Sequence, residues 1–140
     1  IPVGKGRKLR EGSDLAILTI GHIGNYATEA CEALALEGVE AAHYDLRFVK
    51  PLDEVLLHEV FATHSRVITV EDGCIQGGMG SAVLEFMADH GYMARVQRLG
   101  IPDRIVEHGE QIELHRECGF DLEGITKAAR ALVRQAVGVV

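Results

Sequence analysis

The sequence predicts an α/β domain of three layers, doubly wound around a mostly parallel sheet. Three observations predict it. Short apolar runs alternate with stretches whose apolar residues recur at helical spacing, the pattern of strand-then-helix repeats. The runs at Leu15–Ile20 and Val67–Val70 are near-continuous, as in strands buried on both faces. Residues Arg66 to Met87 read as a buried strand, then a glycine-rich loop, then an amphipathic helix, which is half of a βαβ unit.

Taken in order, residues 4 to 11 are polar and suit a short edge strand, with lysine guarding the edge. Leu15 to Ile20 is the first core strand, broken by Gly21 and Gly24. From Asn25 onward, Ala27, Ala30, Cys31 and Leu34 mark a helix, and Gly38 stops it. Val39 to Tyr44 is the second core strand, weakened by Glu40 and His43. Pro51 bars further sheet pairing, and Asp53 with Glu54 favours a helix start. The expected apolar face of that helix is Val55, Leu56, Val60 and Phe61.

The strand Val67–Val70 then meets Glu71 and Asp72, followed by a loop with Gly73, Gly77, Gly78 and Gly80. The next helix shows Ala82, Val83, Phe86 and Met87 on one face and runs to about His90. Arg95 to Leu99 is the last expected strand. A loop spans residues 100 to 109, and Gln111 to Glu117 suits a short helix ended by Gly119. Asp121 should cap the final helix, with Leu122, Ile125, Ala129, Leu132, Val133 and Ala136 as its stripe. The closing residues 137 to 140 should fray.

At 140 residues the chain has the length of one domain, and it is 47% hydrophobic, enough for a self-standing core. The net charge of −7 argues against a nucleic-acid partner, which needs clustered Lys and Arg. No apolar run approaches the length of a membrane span, and no signal peptide is visible. Cys31, Cys74 and Cys118 are odd in number and widely spaced, so a reducing compartment is expected, not a disulfide framework. A chain that opens on Ile1 is expected to be a piece of a longer protein.

Parallel strands would deliver His22, then Asp45 and Arg47, then Glu71 and Asp72 to one sheet edge, where α/β domains collect their working groups. Asp103, Arg104, Glu107 and His108 follow the last strand and are expected to join them. Acid, base and imidazole groups together can make an active site. The weightier expectation is that they pair with one another and cap helix ends, since charged groups at a buried edge need partners. The glycine loop suggests anion binding. It lacks the Gly-Lys-Ser/Thr of a P-loop, it is not Gly-x-Gly-x-x-Gly, and the two acids before it would repel phosphate. Tight packing of Gly77, Gly78 and Gly80 against a neighbour is the expected role. No His-x-x-x-His or Cys-x-x-Cys spacing suggests a metal. A nucleophilic Cys74 needs a histidine only near in space, so spacing leaves that alternative open.

Three segments carry a family resemblance. They are Asp45-Leu-Arg-Phe-Val-Lys-Pro-Leu-Asp53, Val70-Glu-Asp-Gly-Cys-Ile-Gln-Gly-Gly-Met-Gly-Ser-Ala-Val83 and Leu99-Gly-Ile-Pro-Asp-Arg-Ile-Val-Glu-His-Gly109. With Ile1-Pro-Val-Gly-Lys-Gly6 and Cys118-Gly-Phe-Asp-Leu-Glu-Gly-Ile125, they resemble the C-terminal domain of 1-deoxy-D-xylulose-5-phosphate synthases, within the transketolase C-terminal domain family. Glu71-Asp72 departs slightly from the two glutamates expected there.

The resemblance implies that residues 1–140 are one transketolase-like domain, with five strands of which the first, at the edge, is antiparallel. It implies a cytoplasmic parent enzyme that joins pyruvate and glyceraldehyde 3-phosphate with loss of CO2, on thiamine diphosphate and Mg²⁺. The product would feed isoprenoid, thiamine and pyridoxal phosphate synthesis. The family's cofactor motif is a Gly-Asp-Gly followed at a distance by paired asparagines. Here the one asparagine, Asn25, precedes the one Asp-Gly, Asp72-Gly73, so no cofactor or catalytic residue carries over. The expected role is structural: packing on the parent's own catalytic domains and helping to form a homodimer. His22, Arg47, Glu71 and the glycine loop would then serve as interface or packing residues. Two alternatives are a regulatory small-molecule module and the C-terminal domain of a 2-oxo acid dehydrogenase beta subunit. The segment Ile101 to His108 argues against the second.

Overall fold

The computed structural model describes residues 4–47, 51–74, 78–101 and 122–134, with only the backbone for His22, Asp72 to Cys74 and Ile101. It contains strands β1 (Arg7–Arg10), β2 (Leu15–Thr19), β3 (Ala41–Asp45), β4 (Arg66–Cys74) and β5 (Arg95–Ile101). Between them lie helices α1 (Gly24–Leu36), α2 (Glu54–Thr63), α3 (Met79–Asp89) and α4 (Leu122–Arg134). A single 3₁₀ turn, Gly21–Ile23, leads into α1.

The strands form one sheet in the order β1-β3-β2-β4-β5. β1 runs antiparallel to β3, and every other pairing is parallel. The five-stranded, mostly parallel sheet with an antiparallel edge strand is therefore as expected. β2 is buried at all five positions. Its side chains alternate between two cores. Leu15 and Ile17 join Ile68 and Val70 beneath α1 and α4. Ala16 and Leu18 join Ala42, Tyr44 and Val67 beneath α2 and α3. This gives three layers.

Local chemistry explains the helix ends. After α1, the Gly38 N–H donates to the Ala35 carbonyl and the Val39 N–H to the Leu34 carbonyl. That paired closure needs a left-handed residue, and Gly38 supplies it at φ 83°. At α2, the buried Asp53 carboxylate accepts from the Leu56 N–H with one oxygen and from the Gly6 N–H with the other. One side chain thus caps a helix and ties down the segment ahead of β1.

Several expectations need correction. The buried face of α2 is Leu57, Val60 and Phe61, whereas Val55 is 72% exposed and Leu56 only half-buried. The apolar residues run almost continuously there, so periodicity alone chose the wrong phase. β4 continues through Glu71 to Cys74, because β5 pairs with it as far as Ile101, across an irregularity between Glu71 and Cys74. α3 begins at Met79, which puts Gly80 inside the helix and not in the loop; its buried face is Met79, Gly80, Val83 and Phe86. On α4, Thr126 is buried beside Ile125, Ala129 and Leu132, its hydroxyl donating back to the Leu122 and Glu123 carbonyls. Asp121, Ala136, the expected helix at 111–117 and residues 137–140 lie outside the described residues. No helix among the described residues is long and apolar enough to cross a membrane.

The phase of α2 has a measurable consequence. Leu57→Ala should cost about 2–5 kcal/mol in urea unfolding, and Val55→Ala should stay within about 0.5 kcal/mol. Equal losses would contradict the observed face.

Candidate functional site

Because β2, β3 and β4 are parallel, Thr19, Asp45 and Glu71 arrive at one edge of the sheet. The sequence placed Asp45, Arg47 and Glu71 there, and the structure does bring them to that edge. The backbone of His22 lies in the turn after β2, and Asp72 continues β4; the side chains of both lie outside the described residues. Gly77, Asp103 and His108 also lie outside them, as do Arg104 and Glu107.

Glu71 is buried, and both its oxygens are engaged. One accepts from the Met79 N–H at 2.7 Å and the other from the Gly80 N–H at 3.0 Å. A carboxylate at the end of β4 therefore caps α3 and sits at the positive end of its dipole. Gly78 precedes the helix in an extended conformation, and its carbonyl accepts from the Ala82 N–H. Gly80 allows the helix to lie close on the sheet: a Cβ there would stand 2.9 Å from Thr69 Oγ1 and 3.0 Å from Arg98 Cδ. Arg98 in turn donates to Ser81 Oγ at 3.2 Å.

Beside this, Asp45 Oδ1 accepts from the Arg47 N–H at 3.0 Å. The sequence missed the next pair. Thr19 Oγ1 and His43 Nε2 lie 2.8 Å apart, both fully buried on the α1 face. Burial pushes His43 down to about 4, partly opposed by the charge of Asp45. The signal in the sequence is a polar residue within each of two mostly apolar strands, Thr19 in β2 and His43 in β3.

A second polar cluster, also missed, lines a groove of about 630 Å³ beside β1, β3 and α2. Lys8 Nζ lies 2.9 Å from Glu11 and 3.0 Å from Glu59, and 5.7 Å above the Tyr44 ring. Hydrogen bonds to those two carboxylates raise the Lys8 pKa and keep the ammonium charged. Tyr44 donates to Glu59 at 3.2 Å, and burial pushes the phenol up to about 12. The lysine at the edge strand thus does more than repel a neighbour: it closes a local charge network.

These arrangements decide what the sheet edge can hold. A diphosphate seeks free N–H groups at a helix start, and those of α3 already serve Glu71. The acids at that edge also oppose an added anion. No group of three potential metal ligands occurs among the described residues. The start of α3 and the acids beside it therefore do not fit thiamine diphosphate with Mg²⁺.

Two outcomes follow from the geometry. Glu71→Ala should destabilise the chain by about 1–3 kcal/mol in urea unfolding, through two unpaired amides, and Glu71→Gln by less. His43, depressed in the folded chain, holds its full contribution above its unfolded value of 6.5 and loses it as pH falls toward about 4. Stability should fall across that window by up to roughly 3 kcal/mol from this group, and His43→Asn should flatten the slope.

Comparison with known proteins gives a consistent result. Residues 4–125 match the family model for the transketolase C-terminal domain. The 1-deoxy-D-xylulose-5-phosphate synthase of Cytophaga hutchinsonii is 63% identical over 132 residues, covering 94% of this chain and 21% of the relative. That of Bacteroides thetaiotaomicron is 59% identical over 128 residues, covering 91% and 20%. The chain thus spans about a fifth of the length of these relatives. Among solved structures, a split-gene transketolase described as an inactive beta4 tetramer superposes with a TM-score of 0.85 at 30% identity, covering 95% of this chain and 43% of that one. A transketolase from Pichia stipitis shares the fold with a TM-score of 0.68 at 21% identity, covering 93% and 18%. The chain belongs to the transketolase C-terminal domain family.

Proposed function

We propose that residues 1–140 are the C-terminal domain of a 1-deoxy-D-xylulose-5-phosphate synthase, and that the domain serves that enzyme structurally. The observation that carries this is the 63% identity over nearly the whole chain to about a fifth of such an enzyme. The parent joins pyruvate to glyceraldehyde 3-phosphate with loss of CO2. Thiamine diphosphate with Mg²⁺ supplies the carbanion-stabilising chemistry in the parent, held by groups outside this chain.

What this chain contributes is a rigid body. Its described sheet-edge acids are engaged with backbone amides, as Glu71 is with α3, so the edge offers shape for packing on the catalytic domains. Self-association of the parent as a homodimer is part of the same reading. The related split-gene transketolase chain, which forms an inactive beta4 tetramer, supports both halves: a chain containing this fold associates with itself and does not turn over alone.

The test uses the 140-residue chain. Calorimetry with thiamine diphosphate and Mg²⁺ should show no saturable binding, and pyruvate with glyceraldehyde 3-phosphate should give no product. The parent enzyme should sediment as a dimer. Turnover by the chain alone would overturn the reading.

A further inference from the structure

Arg47 is the one non-glycine residue with a positive φ among the described residues, at 62°. An L side chain in that region is strained, and such strain persists only where the surroundings impose it. They do so here from two sides. The preceding Leu46 is fully buried, and its N–H donates to the Thr19 carbonyl at 2.9 Å. The Arg47 N–H is held by Asp45 Oδ1 at 3.0 Å. The turn after β3 is therefore pinned before and at Arg47.

The guanidinium is left poorly served. The Arg47 side chain is only 22% exposed, yet its ion pair with Asp45 spans 3.9 Å from Nε to Oδ2. That is too long for a hydrogen bond. Asp45 already spends its other oxygen on the backbone. Arg47 carries five N–H donors in a rigid fork that fits one carboxylate with two parallel bonds. Among the described residues nothing closer than Asp45 meets that fork, although the backbone is held in an unfavourable conformation to place it.

We propose that Arg47 is a docking residue, pre-set to grip a carboxylate of the catalytic portion of the same parent enzyme across the carboxyl edge of the sheet. This rests on the reading of the chain as one domain of a longer enzyme. A protein carboxylate suits the position better than a free oxyanion. Asp45 and Glu71 stand at the same edge, in a chain of net charge −7, and they oppose a doubly charged phosphate from solution. A single carboxylate tethered on the same polypeptide arrives at high effective concentration. Strain already present at the turn removes the ordering cost that a free arginine would meet on docking.

The test compares Arg47→Asn and Arg47→Lys in the full-length parent enzyme and in the 140-residue chain. Asparagine tolerates the left-handed backbone, so the melting temperature of the chain alone should stay within about 2 °C. In the parent, Arg47→Asn should speed proteolytic cleavage at the junction ahead of this domain by about tenfold, a loss on the order of one well-made charged hydrogen bond. Arg47→Lys, which keeps the charge without the fork, should fall between. An unchanged cleavage rate in the parent overturns the proposal. So does an equal loss of stability in the chain alone, which would make Arg47 an internal support. Inorganic phosphate added to the chain is the control for a free oxyanion: it should not shift the melting temperature, and an Arg47-dependent rise overturns the protein carboxylate. Turnover by the chain alone would sink the broader reading whatever Arg47 does.

Discussion

A parallel strand in the middle of a sheet must be covered on both faces, and β2 imposes that demand on everything around it. All five of its residues are buried. Neither of its neighbours can reach it by a hairpin, so each connection must cross over the sheet and return, which places α1 on one face and α2 and α3 on the other. The helices are amphipathic because β2 and β4 need lids. The polar loops gather at one edge because every crossover starts there.

That geometry brings charge together before any function is considered. Strand ends deliver Thr19, Asp45 and Glu71 to a common margin, and buried polar groups there need partners. The solution is largely internal: Thr19 with His43, Asp45 with the Arg47 backbone, Glu71 with the first turn of α3. A helix start that holds phosphate in other α/β proteins is here closed by the chain's own carboxylate. The fold is shared with cofactor enzymes, but chemistry belongs to sites and not to folds. Among these groups Arg47 stands apart, because its backbone is constrained while its fork makes no hydrogen bond among the described residues.

Much of the architecture was legible because its signals are redundant. The β2 run, the Gly38 stop and the acidic start of α2 at Asp53 and Glu54 each combine a residue type with a position, and the structure uses all three; that Asp53 is the cap itself came from the structure. The phase of α2 was not legible, since Val55, Leu56 and Leu57 are all apolar and only packing into the core beneath α2 selects among them. The extension of β4 past Glu71 depends on pairing with β5, a partner more than twenty residues away. Of the site, the gathering of Asp45, Arg47 and Glu71 was legible from strand order. The Thr19–His43 pair and the Lys8–Glu59–Tyr44 network were not, because sequence does not show which side chains meet across strands.

The Asp53 carboxylate joins two places far apart in sequence, the Gly6 amide and the start of α2. A pull on the polypeptide ahead of β1 therefore does not stop at a loose leader. It bears on the root of α2 and, because Gly6 lies tight against the Asp45 carbonyl and Leu46, on the turn that carries Arg47. The domain is leashed at the same corner by which it would be seated, so tension and docking act on one hinge.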